Sequence, residues 1–269
     1  MRRGTLWLSL VLIGIIVVMA VVGSFWTPFS PTLISGPPLE PPGWPHVLGT
    51  DAVGVDVASR LLVGARMCLL VGIVSVAVAA LVGVPVGVFS GMTNGWVSDL
   101  PARASDILYG FPALLLAILI AAARGASVWT AMAAISIATI PAFVRIARAA
   151  TYQVMNQGYI EAARVAGTPT LGIAARHVLP NIAPVIWIQA SVSFGIAILA
   201  EAGLSYLGLG AGQSSPTWGR MLREAQEQLF NAPILALWPG LAIAVATMGF
   251  NLLGDGLRDL LDPRLKEGR

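Results

Sequence analysis

Six stretches of the chain are long, apolar and almost free of charge, and this pattern constrains the fold more than any other feature. Crossing about 30 Å of hydrocarbon takes about 20 apolar residues in a helix. The runs lie at about 5–25, 67–92, 107–123, 126–144, 178–200 and 232–254. Composition agrees: 57% of residues are hydrophobic and 11% charged. A soluble domain has about 25% charged residues, so a water-facing globule this poor in charge could not cover its surface. Disordered chains, soluble enzymes and nucleic-acid-binding domains are excluded. The expected fold is an all-α polytopic membrane bundle of six transmembrane helices in one domain, 1–269, lying in the lipid bilayer.

Arg2 and Arg3 precede the first run as they would a signal peptide. That run far exceeds the 7–15 residues of a signal's apolar core, and no A-x-A site follows, so an uncleaved anchor is expected. Positive residues set the orientation. With the N-terminus inside, eleven Arg or Lys fall on the cytoplasmic side (Arg2, Arg3, Arg103, Arg145, Arg148, Arg164, Arg176, Arg258, Arg264, Lys266, Arg269). Five fall outside (Arg60, Arg66, Arg124, Arg220, Arg223), so both termini are placed in the cytoplasm. The third and fourth runs, divided by little more than Arg124, read as a helical hairpin. The outer segment 26–66 opens with the proline-rich PTLISGPPLEPPGWP and is expected to be extended. Between the last two spans, Met221, Leu222, Ala225 and Leu229 recur at helical spacing within Trp218–Phe230. This predicts a short amphipathic helix lying on the membrane or on a partner.

No Asp, Glu, Lys or Arg lies in the middle of a span, which disfavours an ion-coupled secondary carrier. His46 and His177 fall on opposite sides and Cys68 stands alone, so no metal site is expected. A phosphate-binding loop needs G-x-x-x-x-G-K-[ST]. The single lysine, Lys266, has no such frame. If the chain transports anything, its energy comes from another subunit. Gly83, Gly87 and Gly91 form a small-residue ridge on which a second helix can approach closely. Pro85, Pro112, Pro141, Pro184 and Pro239 lie within runs, either bending helices for packing or serving as hinges.

The longest inner loop contains YIEAARVAGTPTLGIAARHVLPN. It resembles the cytoplasmic "EAA" loop of ABC-importer permeases: Glu161, Ala162 and Ala163, then Gly167, then Leu179-Pro180 after a fixed gap. Physically it reads as a helix over about Tyr159–Ala166 with Gly167 as its C-cap. Ala162, Ala163 and Ala166 give a small-residue face, with Glu161 and Arg164 at its polar edge. Such a helix can seat in a groove of a soluble partner; the plainer alternative is a helix that only caps the bundle. The resemblance implies an ATPase-coupling helix of Tyr159, Ile160, Glu161, Ala162, Ala163, Arg164, Ala166 and Gly167.

Three more stretches are similar to the dipeptide/oligopeptide/nickel branch of these permeases: LGTDAVGVDVASRLLVGARMCLLVG, LSYLGLGAGQSSPTWGRML and NLLGDGLRDLLDPRLK. With the loop they reach from Leu48 to Lys266. Val55 stands where that branch usually has arginine, and with it goes any outer ion pair that arginine would make. The resemblance implies a type I ABC-importer permease fold with its core at about 65–255. It implies a C-type subunit importing short peptides, or nickel or another small solute, across a bacterial plasma (inner) membrane. It has no catalytic residue and binds no cofactor itself; ATP and Mg belong to the ATPases. The implied partners are a homologous B-type permease, two ATP-binding subunits and an extracellular or periplasmic substrate-binding protein.

Asp51, Asp56, Arg60 and Arg66 read either as a solvated approach to the second span or as a docking surface for that binding protein. Asp255, Arg258, Asp259 and Asp262 read as cap and anchor of the last helix. Gly208, Gly210 and Gly212 read as turn residues, and Trp218 as an outer-interface residue.

Overall fold

The computed structural model describes residues 2–93, 95–210 and 215–261. Among these residues it is all helical, with one isolated bridge between Thr50 and Asp56. The helices are α1 (Arg2–Phe25), α2 (Val57–Met92), α3 (Trp96–Tyr109), α4 (Ala113–Arg124), α5 (Val128–Met155), α6 (Gly158–Val165), α7 (Thr170–Ile173), α8 (Leu179–Tyr206), α9 (Trp218–Glu227) and α10 (Ile234–Leu261). A π-helical turn, Ala174–Val178, joins α7 to α8. Five helices are long and apolar enough to cross a membrane, and six spans result if the bent pair α3–α4 counts as one. Leu10, Val18 and Val21 on α1 are each at least half exposed. Contiguous bare apolar surface of this kind suits lipid and not water.

The α2–α5 pair is the centre of the bundle. A Cβ on Gly83 would lie 2.6 Å from Phe143 Cβ, one on Gly87 2.5 Å from the Val144 carbonyl oxygen, and one on Gly91 2.7 Å from Thr151 Cβ. The glycine ridge is therefore where α5 lies against α2. Pro85, Pro141, Pro184 and Pro239 sit inside continuous helices.

The third apolar run is not one helix. α3 and α4 are bent by 86° at Gly110–Pro112. Proline has no N–H to donate and disfavours helix at the residue before it. Pro112 is the N-cap residue of α4, while the Gly110 N–H closes α3 on the Asp106 carbonyl at 3.0 Å. α3 is held by mutual Ser90–Ser98 hydroxyl-to-carbonyl bonds of 2.6 Å. Ion pairs Arg148–Asp99 (3.1 Å) and Arg145–Asp106 (3.0 Å) fix it to α5.

Several helices outrun their apolar segments. α2 starts at Val57, ten residues before the expected Met67, because Asp56 Oδ2 accepts the Ser59 N–H at 2.8 Å and caps it. α5 runs on to Met155. α8 runs on to Tyr206 and so takes in Glu201, which is buried and accepts the Ser205 hydroxyl at 2.7 Å. A carboxylate thus lies within the helix, although near its end.

The proline-rich segment is folded back instead of extended. The Leu39 N–H donates to the Asp51 carbonyl (2.9 Å) and the Ser35 N–H to the Gly54 carbonyl (2.9 Å). The amphipathic helix exists as α9, but its apolar face belongs to this chain's own core. Trp218, Met221 and Ala225 are buried, while Leu229 lies beyond its end and is exposed. Trp218 is likewise no interface residue. It is 1% exposed, its Nε1 donates to the Leu61 carbonyl at 3.0 Å, and its ring covers Gly64.

The ridge gives a direct prediction. Gly87→Leu overpacks a backbone contact, so it should destabilise the purified protein by about 1–3 kcal/mol, read as a lower thermal midpoint in lipid nanodiscs. Gly14→Leu, whose Cβ meets nothing within 4 Å, should leave the midpoint unchanged or higher. Equal midpoints for both variants would contradict the ridge as the packing constraint.

Candidate functional site: the short helix and the polar cap

The residues of the inner-loop motif come together at one end of the bundle, where α5 ends and α8 begins. α6 is eight residues long, with Glu161 in its first turn and Arg164 in its last. Both charges favour the helix dipole. Ile160 is fully buried among Val88 of α2, Ala147 of α5, and Ile173, Val178 and Ile182. One side chain thus moors α6 to α2, α5 and the start of α8.

The end of α6 is a Schellman cap. The Gly167 N–H donates to the Arg164 carbonyl and the Thr168 N–H to the Ala163 carbonyl, each at 3.0 Å. Gly167 has φ +78°, a conformation that costs an L side chain about 1–2 kcal/mol. Its role as cap follows from that angle.

The face that α6 turns outward differs from the expected one. Ala162 and Ala166 are exposed, but Ala163 is half-buried toward the bundle with Ile160. Val165, which the sequence reading left out, is 90% exposed, and Leu171 of α7 is 81% exposed. Tyr159, Glu161 and Arg164 are exposed around this surface. Helical spacing alone separates the two faces: 160 and 163 on one, 162, 165 and 166 on the other. The arrangement is an uncovered, small apolar surface with one charge of each sign beside it.

The Leu179-Pro180 of the motif also has a physical basis. The Leu179 N–H donates to the Ala174 carbonyl, five residues back, so the helix widens by one residue just before the proline. A proline in a tight α-helical frame would clash with the carbonyl four residues earlier. Asn181 Nδ2 donates to the His177 carbonyl at 2.6 Å within the same turn. Asp255, Arg258 and Asp259 are exposed on the last turns of α10 at this end; Asp262 and Lys266 lie outside the described residues.

The opposite end is closed by a polar cap built from the 26–56 segment, the start of α2 and α9. It is a buried network, not a solvated approach. Arg60 is 6% exposed. Its Nη1 donates to Asp51 Oδ2, and its Nη2 forms an ion pair with Glu224 Oε2 at 2.6 Å. Asp51 Oδ1 accepts the Val53 and Val55 N–H groups at 2.9 Å each. Arg220 Nε donates to Glu224 Oε1 at 2.7 Å. Asp56 Oδ1 meets His46 Nδ1 at 3.0 Å, and the His46 ring lies on Phe29 with centroids 4.4 Å apart. Arg66 is exposed and makes no ion pair among the described residues.

Val55 is buried, and the Arg60 pairs form without an arginine there. The four residues of this network, Asp51, Arg60, Arg220 and Glu224, fall in two distant parts of the sequence, so the pairing of Arg60 with Glu224 was not readable from it. Gly208 takes φ +79° at the turn after α8; Gly212 lies outside the described residues. Among the described residues no group of His, Cys, Asp or Glu could hold a metal ion.

Comparison with known proteins places this architecture. Residues 83–267 match the family described as binding-protein-dependent transport system inner membrane component. The chain is 42% identical over 227 residues to the glutathione transport system permease protein GsiD of Pectobacterium atrosepticum, covering 84% of this chain and 75% of that one. It is 41% identical over 229 residues to the dipeptide transport system permease protein DppC of Alkalihalophilus pseudofirmus, covering 85% and 75%. Among solved structures, it is similar to a chain of the MetNI methionine ABC transporter in an inward-facing conformation, with a TM-score of 0.62 at 17% identity over 76% of this chain and 97% of that one. The fold is that of a type I ABC-importer permease. A multi-span bundle with this loop and these relatives belongs to the binding-protein-dependent transport system inner membrane components.

Proposed function

We propose that this chain is the C-type permease of an ATP-driven importer of short peptides, with both termini in the cytoplasm. It forms the translocation path with a second, B-type permease, and ATP is hydrolysed on two separate subunits. A substrate-binding protein delivers cargo from outside. The observation that carries this reading is α6: a helix moored chiefly through the buried Ile160, capped at Gly167, and bare on its small apolar face. A surface of that shape suits a groove in a soluble partner. The names of the two relatives, for glutathione and dipeptide, favour a short peptide over nickel as cargo.

The mechanism follows from the mooring. When ATP closes the two ATPases, each groove carries its α6 with it. Ile160 passes that displacement to Val88, Ala147 and Ile182, and so to three spanning helices at once. The bundle turns from inward-open to outward-open and receives the peptide; hydrolysis resets it. A nucleotide can drive this change only through its different affinities for the two states.

Two outcomes are expected. A Glu161→Lys, Gly167→Val double variant should insert normally in the membrane yet lose ATP-dependent dipeptide uptake, about tenfold or more, since both its charge edge and its cap are gone. Unchanged uptake would contradict coupling through α6. For orientation, Val165→Cys and Phe230→Cys place thiols at exposed positions on opposite ends of the bundle, and native Cys68 is buried. In intact cells lacking the ATPase subunits, an impermeant maleimide should label the second and spare the first. The reverse pattern would invert the topology.

A further inference from the structure

The polar cap borders a half-open cavity of about 590 Å³ at the end of the bundle opposite α6. Its walls come from three separated segments: Thr32 and Asp51 from the folded-back loop, Arg60 from α2, and Arg220, Glu224 and Glu227 from α9. This volume falls in the range of pockets that receive a ligand group, about 300–1,000 Å³.

The charges on these walls do not cancel. Arg60 is committed to Asp51 and Glu224 together, and Arg220 to Glu224. Both oxygens of Glu224 are taken by these two arginines, and both oxygens of Asp51 by Arg60 and backbone N–H groups. Two acids and two bases therefore form a closed chain of zero net charge. Glu227, one turn further along α9, is exposed at the same cavity and has no ion pair among the described residues. The lining of the cavity therefore carries one net negative charge, on Glu227.

We propose that this cavity is the seat of a protruding basic side chain, lysine or arginine, on the external substrate-binding protein, with Glu227 as its counter-charge. The inference rests on the reading of this chain as the permease of a binding-protein-dependent importer. A lone basic side chain matches this charge better than the cargo does, because a free peptide brings a carboxylate together with its amino group. Glu227 at the mouth acts as a rim charge, which steers encounter and makes docking sensitive to salt.

The test uses the complete importer in nanodiscs, with its cognate binding protein titrated against ATP hydrolysis. Glu227→Lys should raise the binding-protein concentration for half-maximal stimulation about tenfold and flatten its dependence on ionic strength, with the saturated rate retained. Thr32→Cys, exposed at the mouth, should react with a bulky maleimide in the complex without binding protein and then show the same rise. An unaltered half-maximal concentration in Glu227→Lys, with normal wild-type stimulation, overturns the seat and leaves the importer reading intact. A Thr32→Cys that does not react in the complex overturns it too, because the sister permease then covers the cavity. Protection of that cysteine by alanyl-alanine alone would assign the cavity to cargo instead. A wild-type complex that the binding protein never stimulates sinks both readings.

Discussion

The close approach of α5 to α2 is the contact on which the rest of this bundle depends. Inside a bilayer, burying apolar side chains gains little, since lipid tails are equally apolar. Helices associate there through packing, and packing improves when backbones come near. Gly83, Gly87 and Gly91 allow this on α2, where a Cβ would collide with atoms of Phe143, Val144 and Thr151. The consequence reaches the functional end. Val88 and Ala147, neighbours of that contact, are also the walls that hold Ile160. The glycines that set the spacing of two spanning helices thereby set the position of the short helix outside them.

The two ends of the bundle are built by opposite means. At the α6 end one fully buried side chain, Ile160, does most to hold a helix whose outward face is open, as suits the proposed contact with another subunit. At the other end the chain satisfies itself. Arg60 joins loop, α2 and α9 through two carboxylates, and Trp218 ties α9 to the Leu61 carbonyl. Removing one partner of such a buried pair leaves a charge without compensation, a cost of about 3–5 kcal/mol. This end is accordingly tied together by the chain itself, and it keeps its pairs with Val55 where the related branch has arginine.

The bundle and the short helix α6 were legible in the sequence because their signals are local. Apolar length gives spans, four-residue glycine spacing gives a ridge, and Gly167 after three alanines gives a cap. The illegible parts depend on tertiary context. Pro112 lies in an apolar run that looks continuous, and only the 86° bend shows that it divides two helices. α9 has a clear apolar face, but periodicity cannot tell lipid from the chain's own core. Trp218 looked interfacial by type, and its burial against Gly64 depends on a residue more than 150 positions away. The Asp51–Arg60–Glu224 network spans the same distance and leaves no local trace. On α6, residue size does not separate the faces; angular position does, putting Ala163 inward and Val165 outward.

On the proposed function this chain is a passive gate, moved by energy released on another subunit. Vesicles holding it and its sister permease, loaded against a dipeptide gradient, test this most directly. No uphill accumulation is expected until the ATPase subunits, ATP and the binding protein are all supplied. Accumulation driven by an ion gradient, with no nucleotide and no ATPase present, would contradict it.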